Sequence, residues 1–223
     1  MTKDFFKRYA ISTLGLIVVA LGVGVSIKSN LGIAPLSCIP TVLSLKFTNI
    51  SVGTFTWFFN LSFIVIQACI LGKKTRWDLL VQVLPIFIFG YLVDGAIWLF
   101  DSLNAPATDY MVQILLSLAA VVLTAIGIRL EVIGRGWMLS VDSTINLITR
   151  TTGANFSYIK VGTDVLVVVI TAVLALIFFG LLTGNGSTVV IREGTLIQAI
   201  LTGFCMKLTD PLVDAIFLPR KKG

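Results

Sequence analysis

Lys160 and Asp164 stand four residues apart in an otherwise apolar stretch, a spacing that puts both side chains on one face of a helix and makes a direct pair available. A charged side chain at the centre of a bilayer costs at least about 2.5 kcal/mol, so ionisable groups kept in apolar runs point to ion pairing, proton relay or solute contact. The others here are Asp94, Asp142, Asp210 and Lys207. Asp142 opens a triplet, Asp142/Asn146/Thr149, spaced i, i+4, i+7 along one helix face, and Ser37/Thr41/Ser44 has the same spacing 105 residues earlier. Asn60 stands 104 residues before Asp164. These residues, with Cys38 and Ser143 beside the triplets, form the expected solute or ion pathway: Ser37, Cys38, Thr41, Asn60, Asp142, Ser143, Asn146, Lys160 and Asp164. Each also has a structural reading. The Ser and Thr hydroxyls can bond within their own helix, and Lys160–Asp164 can be a structural ion pair. Asp94 and Asp210 fit end anchoring, and Lys207 fits pairing with Asp210 or Asp214 or snorkelling.

The elements that must carry these groups are set by composition. The chain has 223 residues, 57% hydrophobic and only 13% charged, with a mean hydropathy of +0.99. One soluble core cannot hide that much apolar surface. Apolar runs at 9–27, 52–71, 79–100, 110–128, 158–182 and 195–217 are each long enough to cross a hydrocarbon layer of roughly 30 Å. Two further apolar segments, 33–45 and 137–148, are short and interrupted by polar residues or Pro, which suits re-entrant half-helices. The expected fold is therefore an all-α membrane protein with six transmembrane helices and two re-entrant half-helices.

The triplets belong to a longer repeat. Arg76, Gln82 and Asp94 correspond to Arg192, Gln198 and Asp210 at a constant shift of 116 residues. The chain divides into a first repeat, 1–104, and a second, 105–223, each with three spans and one short helix. Three spans is an odd number, so the second repeat is inverted relative to the first. Lys and Arg near span ends stay cytoplasmic. With both short segments re-entrant, Lys3, Lys7 and Arg8, the loop with Lys73, Lys74 and Arg76, then Arg129, Arg135 and Arg150, and the tail Arg220, Lys221 and Lys222 all fall inside. Lys28, Lys46 and Arg192 fall outside, and both termini are cytoplasmic. Eight full spans would instead put Lys73, Lys74 and Arg76 outside.

Several chemistries are excluded or unsupported. The net charge of +6 is spread over short loops and termini rather than gathered with aromatics on one surface, which argues against nucleic acid. Histidine is absent, which removes His-based zinc sites and triads. Cys38, Cys69 and Cys205 are far apart in apolar context, so neither a disulfide framework nor a metal motif is indicated. No hydrolase or metalloprotease motif is present, and no enzyme activity and no cofactor are expected. The expected partners are the lipid bilayer and a small-molecule or ion substrate, and the sequence leaves room for a homo-oligomer.

The stretch Ile27-Lys28-Ser29-Asn30-Leu31-Gly32-Ile33-Ala34-Pro35, Asp142-Ser143 after Gly134-Arg135-Gly136, the Lys160/Asp164 pair and Glu193-Gly194-Thr195-Leu196-Ile197 together resemble the bacterial YczE/YyaS/YitT-type integral membrane proteins. Where that family commonly has Pro-Trp-Asp, this chain has Pro35-Leu36-Ser37, so an acidic group is missing. Its usual Arg and Glu are kept in type as Lys160 and Asp164. The resemblance implies a bacterial cytoplasmic membrane and no particular substrate. Inverted repeats with broken helices favour a transporter of a small polar or charged solute, coupled to protons or cations through the intramembrane carboxylates. A passive channel and a non-transporting scaffold or accessory protein are the competing classes.

Overall fold

The computed structural model describes residues 2–72, 78–102, 109–181 and 189–217. Among them every regular element is helical: α1 Thr2–Lys28, α2 Pro35–Lys46, α3 Val52–Leu71, α4 Asp78–Val81, α5 Val83–Ser102, α6 Tyr110–Gly134, α7 Ser140–Thr152, α8 Phe156–Phe179 and α9 Glu193–Phe217. Six stretches are long and apolar enough to cross a membrane: α1 from Phe6, α3, α4 with α5 from Leu79, α6, α8 and α9. Their outer faces carry exposed Phe58, Val65, Leu166, Val169, Val173 and Ile177, a surface that suits hydrocarbon and not water. The protein is a multi-pass membrane protein. Lys73, Lys74, Arg76, Arg220, Lys221 and Lys222 lie outside the described residues.

α1 and α6 form the centre. A Cβ on Gly15 would lie 2.8 Å from Gly127 O and 2.9 Å from Glu131 N, so the two backbones meet where only glycine fits. Around this crossing Leu16, Val19, Ala20 and Val23 of α1 pack with Ala125 and Ile128 of α6, Phe89 and Val93 of α5, and Met206 of α9. α1 packs on α5 and α6 on α9; α3 packs on α5 and α8 on α9. The short α2 lies against α3 and α8, and the short α7 against α8 and α3. Exchanging α1 with α6, α2 with α7, α3 with α8 and α5 with α9 maps each of these pairs onto another of them.

Local backbone repeats the same exchange at a shift of 105 residues. After α1, Asn30 takes a left-handed φ of 53°; after α6, Arg135 takes 51°. The residues before the short helices are extended alike, Ala34 at φ −57°, ψ 137° and Leu139 at φ −60°, ψ 146°. Ser51 and Asn155, at a shift of 104, cap α3 and α8 by accepting from Thr54 N and Ser157 N.

One boundary shift bears on the site. The span expected to end at residue 128 continues to Gly134, which brings Arg129 and Glu131 into a helix. Arg129 is accommodated because it pairs with Asp214, through Nε to Oδ1 at 2.8 Å and Nη2 to Oδ2, and lies 3.6 Å from Asp210. That arrangement also corrects the reading of Lys207. Its expected carboxylates serve Arg129, and its ammonium lies over the rings of Tyr158 and Phe204 instead.

Candidate functional site

The short helices begin at side chains supplied by the helices before them. Ala34 N–H, leading into α2, donates to Ser26 Oγ at 2.7 Å. Leu139 N–H, leading into α7, donates to Glu131 Oε2 at 3.0 Å. Each half also reaches across to hold the other's turn. Gln198 of α9 donates to Gly32 O and accepts from Ser26 Oγ. Gln67 of α3 donates to Ser140 O, and it exchanges two hydrogen bonds with Gln82, Nε2 to Oε1 at 3.1 and 3.0 Å. Leu36 of α2 joins Val141 and Ile145 of α7 in one buried apolar cluster, so the two short helices meet at their starts.

Charge collects at this meeting point. Lys160 Nζ lies 2.7 Å from Asp164 Oδ1, with both side chains at most 2% exposed. Asp164 contacts Lys160 directly, and Asp142 and Glu131 are near enough for their charges to act on the same ammonium. Asp142 and Glu131 are fully buried. Both Asp142 carboxylate oxygens and Glu131 Oε1 have no hydrogen-bond partner among the described residues. A burial this complete, with acceptors unpaired, is costly unless the group takes up a proton, a cation or water in some state. A cavity of about 10 Å³ separates the Lys160–Asp164 pair from Ala34, Pro35 and Leu36, about the space of one water.

On the other side of the cluster a vestibule of about 950 Å³ opens, and Glu131 lines it together with Arg8, Arg129, Arg135, Asn146 and Arg150. An adjoining cavity of about 340 Å³ shares Arg129 and Asn146 and extends to Thr149, Lys207 and Asp210. Glu131 thus belongs both to the buried cluster and to the wall of the vestibule.

The pathway residues read from sequence divide. Asp142, Lys160 and Asp164 meet in the cluster, Asn146 lines the vestibule, and Ser143 Oγ lies 3.4 Å from Gln67 Oε1. Asn60 is buried, donates to Thr56 O at 3.0 Å and leaves Oδ1 without a partner among the described residues. Thr41 donates to Ser37 O and Ser44 to Thr41 O, so those hydroxyls satisfy their own helix. Cys38 donates to Ile33 O and packs among Ile33, Val42, Ala175 and Val190, with the charge of Asp164 acting on its thiol. Asp94 anchors α3, accepting from Ser51 Oγ and Gly53 N at 2.7 Å each. Glu131 was absent from the expected site. Its signal is an acid nine residues before the start of a short helix, in register with Ser26.

Residues 6–211 match the model of a family described as a family of unknown function, DUF6198. The chain belongs to DUF6198. The match does not name the YczE/YyaS/YitT type. No curated protein and no solved structure matches the chain. In this DUF6198 member the chemistry of the site, and not the fold alone, sets what the protein can do.

Proposed function

We propose that the protein is a secondary transporter built from two inverted repeats, 1–104 and 105–223, with α2 and α7 as re-entrant half-helices and Glu131, Asp142, Lys160 and Asp164 as its coupling site. The observation that carries this reading is that Glu131 is among the residues lining the vestibule while Lys160 and Asp164 stay buried beside a water-sized cavity. A scaffold has no need of a buried charge cluster with a water-sized cavity beside it, and an open pore would not leave that cluster closed. Inversion is supported by the ends of the elements. Lys28 pairs with Asp101 at 3.1 Å, and Arg192 reaches Asn30 O, so the ends of α1 and α5 and the start of α9 share one face. Arg8 donates to Gly134 O and Arg135 O, and Arg129 holds Asp214, so the start of α1 and the ends of α6 and α9 share the other. By the positive-inside rule the Arg8 face is cytoplasmic, in keeping with the resemblance to bacterial cytoplasmic membrane proteins of the YczE/YyaS/YitT type.

In this mechanism the vestibule admits solute from the cytoplasm. Desolvation of the carboxylates in the closed state favours uptake of a proton or cation at one of them, and water entering from either face favours its release. Which face is open and how the carboxylates are occupied are then linked.

The test uses single cysteines in a background lacking Cys38, Cys69 and Cys205, with an impermeant thiol reagent applied to oriented vesicles. Met138→Cys, in the vestibule wall, is expected to label from the cytoplasmic face. Leu36→Cys, in the small cavity, is expected to label slowly and only from the opposite face. Labelling of both positions from both faces identifies a channel. Complete protection of Leu36→Cys under all conditions identifies a non-transporting protein.

A further inference from the structure

We infer that the vestibule is a binding site for a small anion carrying carboxylate or phosphate groups, which deepens the transport reading by naming its substrate class and rests on that reading only for the word substrate. Four arginines, Arg8, Arg129, Arg135 and Arg150, line one cavity of about 950 Å³, at the upper end of the volumes that hold small molecules. Their charges are not equally spent. Arg129 is held by Asp214 and Asp210, and Arg8 is fixed by two backbone carbonyls, Gly134 O and Arg135 O, each at 3.3 Å. Arg135 and Arg150 form no ion pair among the described residues. Both are exposed.

These arginines come from three separate places in the chain: the start of α1, the end of α6 with the turn after it, and the end of α7. A topology signal needs basic residues only near the membrane surface. Here they converge on one concavity, and the guanidinium fork matches carboxylate and phosphate oxygens with two parallel hydrogen bonds. Asn146 adds an amide able to donate or accept beside them. The wall also contains Glu131, the single carboxylate among the lining residues and a member of the buried cluster. An anion seated on Arg135 and Arg150 therefore shares a cavity with the group whose proton or cation occupancy would be linked to its passage. The fixed positive charge further concentrates anions from solution at the mouth of the cavity.

A free solute and the headgroup of an anionic lipid offer the same chemistry, and the test separates them. The full-length protein is placed in nanodiscs of phosphatidylcholine alone, and its melting temperature is followed with inorganic phosphate, succinate, citrate or choline chloride at matched ionic strength. Phosphate, succinate or citrate is expected to raise the melting temperature and choline chloride to leave it unchanged. Arg135→Gln with Arg150→Gln is expected to weaken the response roughly tenfold or more in apparent affinity while leaving the ligand-free melting temperature near that of the parent, because neither side chain holds a structural partner. Repeating the titration in nanodiscs containing phosphatidylglycerol assigns the source: an unchanged response identifies a soluble anion, and a response abolished by that lipid but kept in phosphatidylcholine identifies a headgroup at the same arginines. No stabilisation by any of the anions, or equal stabilisation of the parent and the double variant, overturns the site. That failure leaves the cysteine-accessibility result untouched. Anion binding without alternating accessibility would instead reject transport and keep the site.

Discussion

The two halves of the molecule use the same backbone to opposite electrical ends. At shifts of 104 or 105 residues Ser26 is replaced by Glu131, Ser37 by Asp142 and Asn60 by Asp164, so three neutral polar positions in the first half are carboxylates in the second. Ser26 and Glu131 do the same structural work, each accepting from the N–H that leads into a short helix. The difference lies in what else happens there. Ser26 is closed into a neutral network with Gln198 and Gly32, whereas Glu131 keeps one oxygen unpartnered and faces an arginine-lined vestibule. A duplicated scaffold can thus keep one half as a neutral template and load the other with charge, provided that a cation, here Lys160, is buried with it.

The largest effect is expected from Lys160→Met. Removing the ammonium leaves Asp164 unpaired and Asp142 and Glu131 without their cation, and breaking a buried pair from one side typically costs about 3–5 kcal/mol. Thermal unfolding in detergent should show this loss, and Lys160→Met combined with Asp164→Leu should recover most of it. A single Lys160→Met protein as stable as the parent would mean the second half does not depend on its buried cation.

An intermediate effect compares the halves directly. Ser26→Ala and Glu131→Ala each remove the side-chain acceptor of a buried N–H, so both should lower stability by about 1–3 kcal/mol. Glu131→Gln keeps an acceptor for Leu139 N–H and should cost less than Glu131→Ala. If Glu131→Ala were harmless while Ser26→Ala destabilised, the two residues would not be structural equivalents.

The smallest effect on stability is expected at Asp142. Its carboxylate makes no hydrogen bond among the described residues, so Asp142→Asn should change unfolding by less than about 1 kcal/mol or stabilise. The same substitution should abolish gradient-driven uptake in proteoliposomes of any anion found to bind the vestibule. Loss of folding in Asp142→Asn would show that the carboxylate has a structural partner and is not poised for exchange.

How much of this was legible in the sequence depended on whether the signal was local. The six spans follow from runs of apolar residues, and the Lys160/Asp164 contact follows from helical spacing alone. The end of α6 did not, because Arg129 and Glu131 look like a helix end until Asp214, 85 residues later, and Leu139 are known to receive them. The pairing expected of Lys207 failed for the same reason, since Arg129 competes for its carboxylates from another helix. The Ser37/Thr41/Ser44 face carried a true helical period but no information on where its hydroxyls point, and those of Thr41 and Ser44 turn back to their own backbone. The vestibule arginines, read one by one as topology signals, converge only in three dimensions.

Inversion of the halves is tested most directly at the ends of the two short helices. Single cysteines replace Lys46 at the end of α2 and Arg150 near the end of α7 in the cysteine-free background, and intact cells are treated with an impermeant thiol reagent before and after permeabilisation. Lys46→Cys is expected to label in intact cells and Arg150→Cys only after permeabilisation. Labelling of both before permeabilisation, or of neither, would place the two short helices on the same face and contradict the inverted arrangement.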